Sequence, residues 1–124
     1  MKKLPILSVD FDGVIHSYAS GWKGADVIPD PPVEGAIDFL RKAVEHFRVA
    51  IYSSRSGQKG GIEAMKRWLH TAIEQTEMYP AWFKLIEWPT EKPPAFLTID
   101  DRAITFTGTW PEMQTLKDFK TWTQ

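Results

Sequence analysis

Cysteine is absent from this chain, which excludes disulfide bonds and thiolate metal sites. Long apolar runs are absent too, because Asp10 and Asp12 interrupt the most apolar early stretch well short of the roughly 20 residues that a membrane helix needs. The basic start, Met-Lys-Lys, precedes an apolar segment that is too short for a signal peptide. These absences are typical of a cytoplasmic protein, and we expect no membrane partner.

Neither sign of charge is in excess, since 15 Lys and Arg residues oppose 16 Asp and Glu residues and the net charge is -1. Proteins that bind nucleic acid usually carry a basic surface, so this balance does not favour such a partner. A length of 124 residues, with 43% hydrophobic and 25% charged residues, is ordinary for one globular domain. We therefore expect a single domain over residues 1–124.

Two hydrophobic patterns alternate along the chain: short apolar runs that predict strands, and apolar residues at helical spacing that predict helices. The predicted strands cover residues 5–10, 48–53, 83–87, 95–99 and 104–106. The predicted helices cover residues 33–47 and 62–75, and a third follows Pro111. Residues 14–32, rich in Gly, Ser, Asp and Pro, are predicted to form an irregular loop, which we call the flap.

Strands that alternate with helices imply right-handed βαβ crossovers and a parallel sheet covered on both faces. The predicted fold class is α/β: a single Rossmann-like domain of three α/β/α layers, with a mostly parallel central sheet and no cap domain. In such sheets ligands bind beyond the carboxyl ends of the strands. The polar clusters of this sequence fall at those ends.

Four acids follow two of the predicted strands: Asp10 and Asp12 after the first, Asp100 and Asp101 after the strand at 95–99. The first pair alone has two equally good explanations. It could form part of a functional site, or one Asp could cap a turn while the other is exposed to solvent. The second pair favours function, because four carboxylates at one sheet edge would repel each other unless a hard cation offset their charge.

Magnesium is the cation that the donor set favours. The chain has no cysteine, and His16, His46 and His70 are scattered along it, so zinc is disfavoured. We interpret His46 and His70 as ordinary helix residues. His16 is interpreted as a solvated flap residue, with contact to substrate as the less favoured alternative.

Hydroxyl and cationic side chains occur near the same strand ends. Ser53, Ser54 and Arg55 close the second strand, where a hydroxyl and turn amides can hold phosphate oxygens, although a Ser-rich turn is common without function. Lys92, just before the strand at 95–99, would supply a fixed cation. Lys84 is the competing lysine, disfavoured because it lies inside a predicted strand.

The segment Asp-Phe-Asp-Gly-Val at 10–14, followed by Ser53, Lys92 and Asp100-Asp101, resembles the four ordered motifs of the haloacid dehalogenase superfamily. The stretch from Ile99 to Trp110 is also similar to small phage and bacterial hydrolases of this superfamily. The resemblance covers residues 5 to about 108 and leaves no room for a cap domain.

The resemblance implies a phosphatase mechanism. Asp10 would attack phosphorus and form an aspartyl-phosphate, and Asp12 would protonate the leaving oxygen and later activate water. Ser53 would bind the phosphoryl group, and Lys92 would steady the nucleophile and the transferring charge.

The resemblance also implies the metal ligands: Asp10, the backbone carbonyl of Asp12, and one acid of the last motif. We favour Asp101 as the direct metal ligand and Asp100 as a supporting residue. Which of the two binds the metal directly stays open. The predicted activity is therefore Mg²⁺-dependent hydrolysis of phosphate monoesters.

The substrate does not follow from the motifs. An uncapped site suits a large phosphorylated substrate. A polynucleotide 3'-phosphatase and a nucleotidase are the more specific forms of the phosphatase hypothesis. The near-neutral charge weighs against nucleic acid, although Lys59, Lys66 and Arg67 could form a local basic patch. A non-catalytic module that binds a phosphoryl ligand is the alternative of another class.

Overall fold

The computed structural model describes residues 3–78 and 80–124, so Met1, Lys2 and Tyr79 of the predicted domain lie outside the described residues. The described chain is mixed α/β, with one sheet of three parallel strands. These are β1 (Ile6–Val9), β2 (Arg48–Ile51) and β3 (Leu97–Ile99), in the spatial order β2-β1-β3. The prediction of a parallel sheet is confirmed.

The central strand, β1, sets the position of the first predicted motif. Leu7, Ser8 and Val9 are buried, as expected for a strand with neighbours on both edges. Beyond its end, the Asp10 N–H donates to the Ile99 carbonyl over 2.9 Å. Asp10 therefore lies next to the carboxyl end of β3.

Two helices supply much of the core: α1 (Ala36–Ala43) and α2 (Gly61–Glu74). The buried side chains of both helices join those of β1 and β2 in one hydrophobic cluster, which includes Leu40 from α1 and Leu69 from α2. α2 matches its prediction. α1 is shorter than the predicted 33–47, because Gly35 has a left-handed φ of 85° and the helix begins only after it.

The predicted strand at 83–87 is wrong. Ala81–Leu85 forms a 3₁₀ helix instead, and the Phe83 ring packs edge-on against His70 of α2 at a centroid distance of 5.0 Å. Only Glu87 pairs with the sheet, through a single parallel bridge to Ala50.

The C-terminal part of the chain also differs from its prediction. Residues 104–106 form no strand in the structure, and the predicted last helix is short, α3 at Met113–Lys117. Leu97 of β3 is 54% exposed, because β3 is an edge strand of the described sheet and its outer residues are not covered. The expectation of a sheet covered on both faces therefore fails at β3.

None of the helices in the described part of the chain is long and apolar enough to cross a membrane.

Candidate metal and phosphate site

Three carboxylates meet at the carboxyl ends of β1 and β3. Asp10, Asp100 and Asp101 each offer an oxygen that lies within 4.8 Å of the others, and we call these residues the acid cluster. Asp10 and Asp101 are half-buried, and Asp100 is exposed. The predicted convergence of the two motifs on one edge of the sheet is confirmed for these acids.

Asp101 carries the clearest sign of a missing partner. Its Oδ1 atom is buried and has no hydrogen-bond partner among the described residues. A buried carboxylate oxygen without a partner is costly, and a cation would satisfy it. Asp100 differs, because its Oδ1 accepts the Arg102 N–H over 2.8 Å in a local turn. This contrast agrees with Asp101 as the direct ligand and Asp100 in support.

Gly13 allows Asp101 to approach the loop that follows β1. Its φ is 83°, and a Cβ at this position would lie 2.3 Å from Asp101 Oδ2. Only a glycine combines this backbone conformation with this contact. The glycine of the first motif is thus explained by the packing of the acid cluster.

The electrostatics of Asp10 show the same need for positive charge. Burial, followed by the negative charges of Asp100 and Asp101, raises the pKa of Asp10 from an ordinary 3.8 to about 7. Asp10 must be ionised to act as a nucleophile near neutral pH. A cation bound at the acid cluster would stabilise the ionised form.

The Asp12 side chain does not join the acid cluster. Its carboxylate instead binds two buried groups: Arg55 Nε donates to Oδ2 over 2.9 Å, and His16 Nδ1 lies 2.9 Å from Oδ1. Of the four carboxylates expected at this edge, three are therefore gathered, and the assignment of Asp12 as a metal ligand through its backbone carbonyl stays a prediction.

His16 is buried, and the interpretation as a solvated flap residue is wrong. Its Nε2 accepts the backbone N–H of Asp30 over 3.1 Å, so Nδ1 carries the proton and donates to Asp12. The ring also stacks against Phe11 at a centroid distance of 5.7 Å. His16 thus fixes Asp12 and anchors the end of the flap.

Two donors hold the Asp12 carboxylate in its ionised form. Burial acts to raise its pKa, but the hydrogen bonds from His16 and Arg55 and the charge of Arg55 outweigh it and hold the pKa of Asp12 below the ordinary value. Asp12 is therefore held as an ionised carboxylate.

Arg55 is fully buried and ties the flap to Asp12. Its Nη1 donates to the carbonyls of Gly24, Ala25 and Val27 over 2.8, 2.9 and 3.2 Å. The guanidinium carbon lies 4.7 Å from the centroid of the Trp22 ring. Nη2 lacks a partner among the described residues but is buried, so contact between Arg55 and phosphate stays a prediction.

Ser53 and Ser54 begin the loop after β2. Ser53 is buried, and its Oγ accepts the Arg55 N–H over 2.9 Å. This bond leaves the hydroxyl hydrogen for an anionic acceptor such as a phosphate oxygen. Ser54 is exposed. Phosphate binding by these residues stays a prediction.

Both lysine candidates have exposed side chains. Lys92 lies in the loop before β3, and this loop runs beside the one after β2, since the Thr90 carbonyl lies 3.8 Å from the Cβ position of Gly57. Lys84 lies in the 3₁₀ helix. No lysine is among the groups that shift the pKa of Asp10, and the described residues show no ion pair between Lys92 and the acid cluster, so the role of Lys92 stays a prediction.

Comparison with known proteins gives no match: no family model, no curated protein and no solved structure is significantly similar to this chain. The interpretation of the site therefore depends on its own residues.

Proposed function

We propose that this protein is a Mg²⁺-dependent phosphate monoester hydrolase of the haloacid dehalogenase type that works through an aspartyl-phosphate on Asp10. The three-layer, Rossmann-like arrangement of that superfamily is part of the proposal. The observation that carries it is the acid cluster, in which a half-buried Asp10 lies beside an Asp101 with an unpartnered oxygen.

The donors at the acid cluster fit Mg²⁺. Oxygen ligands from Asp10, Asp101 and the Asp12 carbonyl suit a hard cation, and Asp100 adds negative charge nearby. Bound there, Mg²⁺ would supply the positive charge that offsets the carboxylates and the phosphate.

Two aspartates, Asp10 and Asp12, would carry out the two steps of phosphate ester hydrolysis. In the first step, a carboxylate oxygen of Asp10 bonds to phosphorus, and the ester oxygen leaves and takes a proton. In the second step, water attacks phosphorus, loses its proton to a base and restores the Asp10 carboxylate. In this proposal the base of the second step is Asp12, which His16 and Arg55 hold in its ionised form.

Asp12 must first be protonated if it is also the acid of the first step. Protonation removes the negative charge that pairs with Arg55. The weaker attraction would let the protonated carboxyl turn toward the leaving oxygen.

The test is hydrolysis of p-nitrophenyl phosphate with and without Mg²⁺. We expect wild-type activity only with Mg²⁺, and Asp10→Asn should lose it by at least about 10³-fold because the nucleophile is gone. Asp38→Asn is the matched control: it makes the same chemical change at an exposed position on α1 and should retain full activity. Full Mg²⁺-dependent activity in Asp10→Asn would refute the proposal, and metal binding without turnover would favour the non-catalytic module.

A further inference from the structure

An apolar groove lies in the part of the chain that follows the acid cluster, between residues 104 and 116. Its volume is about 760 Å³, and the side chains that line it are apolar or threonine. Five of them are large hydrophobic side chains: Ile104, Phe106, Trp110, Met113 and Leu116. We call this surface the C-terminal groove.

The five large side chains of the C-terminal groove are exposed to solvent. Their exposed fractions run from 40% for Leu116 to 82% for Trp110. Together they expose roughly 500 Å² of apolar surface, because a large side chain carries on the order of 150–250 Å². The largest apolar patch on a typical monomer is about 300–600 Å² and often marks a binding surface. The C-terminal groove has the area of such a surface.

The exposure of these side chains favours a broad partner over a small molecule. A small-molecule pocket is concave and encloses most of the surface of its ligand. The Phe106 and Trp110 rings instead contact each other at a centroid distance of 4.7 Å while both stay more than half exposed. A shallow surface of this kind fits the apolar face of another protein chain.

The charge of the C-terminal groove excludes two kinds of partner. Residues 103–116 include one charged residue, Glu112, whereas 25% of the whole chain is charged. Depletion of charge is typical of the core of a protein interface. Nucleic acids and anionic membranes are instead bound through clusters of basic side chains, and no basic residue lines the groove.

A second copy of this chain matches the groove in area and in charge. A stable interface of standard size takes about 800 Å² from each partner, and in homodimers about 65% of this area is apolar. Each copy must therefore supply roughly 520 Å² of apolar surface, which is close to what the groove exposes. The net charge of the chain is only -1, so two copies hardly repel each other.

We propose that the C-terminal groove is the interface of a two-fold symmetric homodimer, in which each copy covers the groove of the other. A two-fold axis brings the same surface of both copies together. Trp110 is the type of residue that anchors such interfaces. The groove is lined by no residue of the acid cluster, so this inference does not depend on the proposed phosphatase function.

The first test is the mass of the protein in solution. Sedimentation velocity at concentrations up to about 200 μM reaches well above the micromolar dissociation constants of the weaker interfaces of this size. We expect the mass to rise to twice that of the chain as the concentration increases. A protein that stays monomeric over the whole range would overturn the inference.

Two matched variants locate the interface. Met113 in the groove and Met78 after α2 are 71% and 81% exposed, so Met113→Glu and Met78→Glu make the same change at similar exposure and should both fold. Met113→Glu should weaken dimerisation at least about 100-fold, because each dimer then buries two unpaired carboxylates. Met78→Glu should leave it unchanged. Equal effects of the two variants on dimerisation would contradict the proposed interface.

A further variant and a mapping experiment test the same surface without adding charge. Trp110→Ala should weaken dimerisation by about 30-fold or more, as expected for an anchoring residue. In hydrogen exchange, backbone amides of residues 103–116 should exchange more slowly in the dimer than in the monomer, and those of Ala81–Leu85 should not change. A dimer that protects another surface, or binding to anionic lipid vesicles without self-association, would overturn the inference.

Discussion

At the scale of single residues, Gly13 and Gly35 have nearly the same backbone conformation, with φ of 83° and 85°, but different surroundings. A Cβ at Gly35 would meet nothing within 4 Å, whereas one at Gly13 would meet Asp101 Oδ2 at 2.3 Å. Gly35→Ala is therefore a matched control for the backbone strain of Gly13→Ala.

We expect Gly35→Ala to cost about 1–2 kcal/mol of unfolding free energy, the penalty of a left-handed non-glycine residue. Gly13→Ala should cost more and should also displace Asp101, so that Mg²⁺ no longer raises the melting temperature. Urea unfolding and thermal melts with and without Mg²⁺ check this. An unchanged response to Mg²⁺ in Gly13→Ala would show that Asp101 is not part of the metal site.

Residues of the site differ in how well the sequence predicts them. Asp10, Asp100 and Asp101 were predictable, because each follows an apolar strand and the ends of parallel strands converge. Arg55 was assigned to phosphate, whereas most of its donors bind Asp12, 43 positions away, and the flap carbonyls. His16 was missed, because no local pattern distinguishes a buried loop histidine from a solvated one.

At the scale of elements, Arg55 connects the flap to the loop after β1. Arg55→Met keeps an unbranched side chain but removes every donor and leaves the half-buried Asp12 carboxylate with one partner fewer. Removing one partner of a buried pair costs about 3–5 kcal/mol, and we expect a loss of unfolding free energy in that range.

Urea denaturation measures this loss, with Arg67→Met as the control. Arg67 is exposed on α2, and its replacement should change stability by less than about 0.5 kcal/mol. Limited proteolysis should also cut the flap of Arg55→Met faster than that of wild type. Equal stability of the two variants would show that the buried arginine does not hold the flap.

The elements that the sequence predicts best are those whose pattern has one interpretation. β1 and β2 are short apolar runs with polar ends, and α2 has a long apolar face. The segment at 83–87 also contains a short apolar run, but a strand needs a partner along its length, and only Glu87 of this segment pairs with the sheet. The exposure of β3 could not be predicted from the sequence. It depends on which other elements pack against this edge strand, and the sequence of the strand itself does not indicate that.

At the scale of the whole molecule, the acid cluster couples stability to pH and to metal. The folded protein raises the pKa of Asp10 from 3.8 to about 7, so between these values the folded form holds a proton that the unfolded chain releases. The contribution of this group to stability is fully present below about pH 4 and is lost as the pH rises through about 7. Its upper bound, at 1.36 kcal/mol per unit of pKa, is about 4 kcal/mol.

Metal-free Asp10→Asn should therefore melt several degrees above wild type at pH 8 and should exceed it by clearly less at pH 5. At pH 8, Mg²⁺ should stabilise wild type more than Asp10→Asn, because the cation offsets the buried charge only where that charge exists. Calorimetric melts at both pH values check this. A difference that does not grow between pH 5 and pH 8 would show that Asp10 is not the destabilising group.

The most direct test of the central claim is to look for the phosphoryl group on Asp10. Wild-type protein mixed with p-nitrophenyl phosphate and Mg²⁺ is quenched in acid within the first turnover, digested and analysed by mass spectrometry. The account predicts a phosphorylated peptide with the modification at Asp10, absent without Mg²⁺ and absent in Asp10→Asn. Steady turnover with no modified peptide, or a modification at another residue, would contradict it.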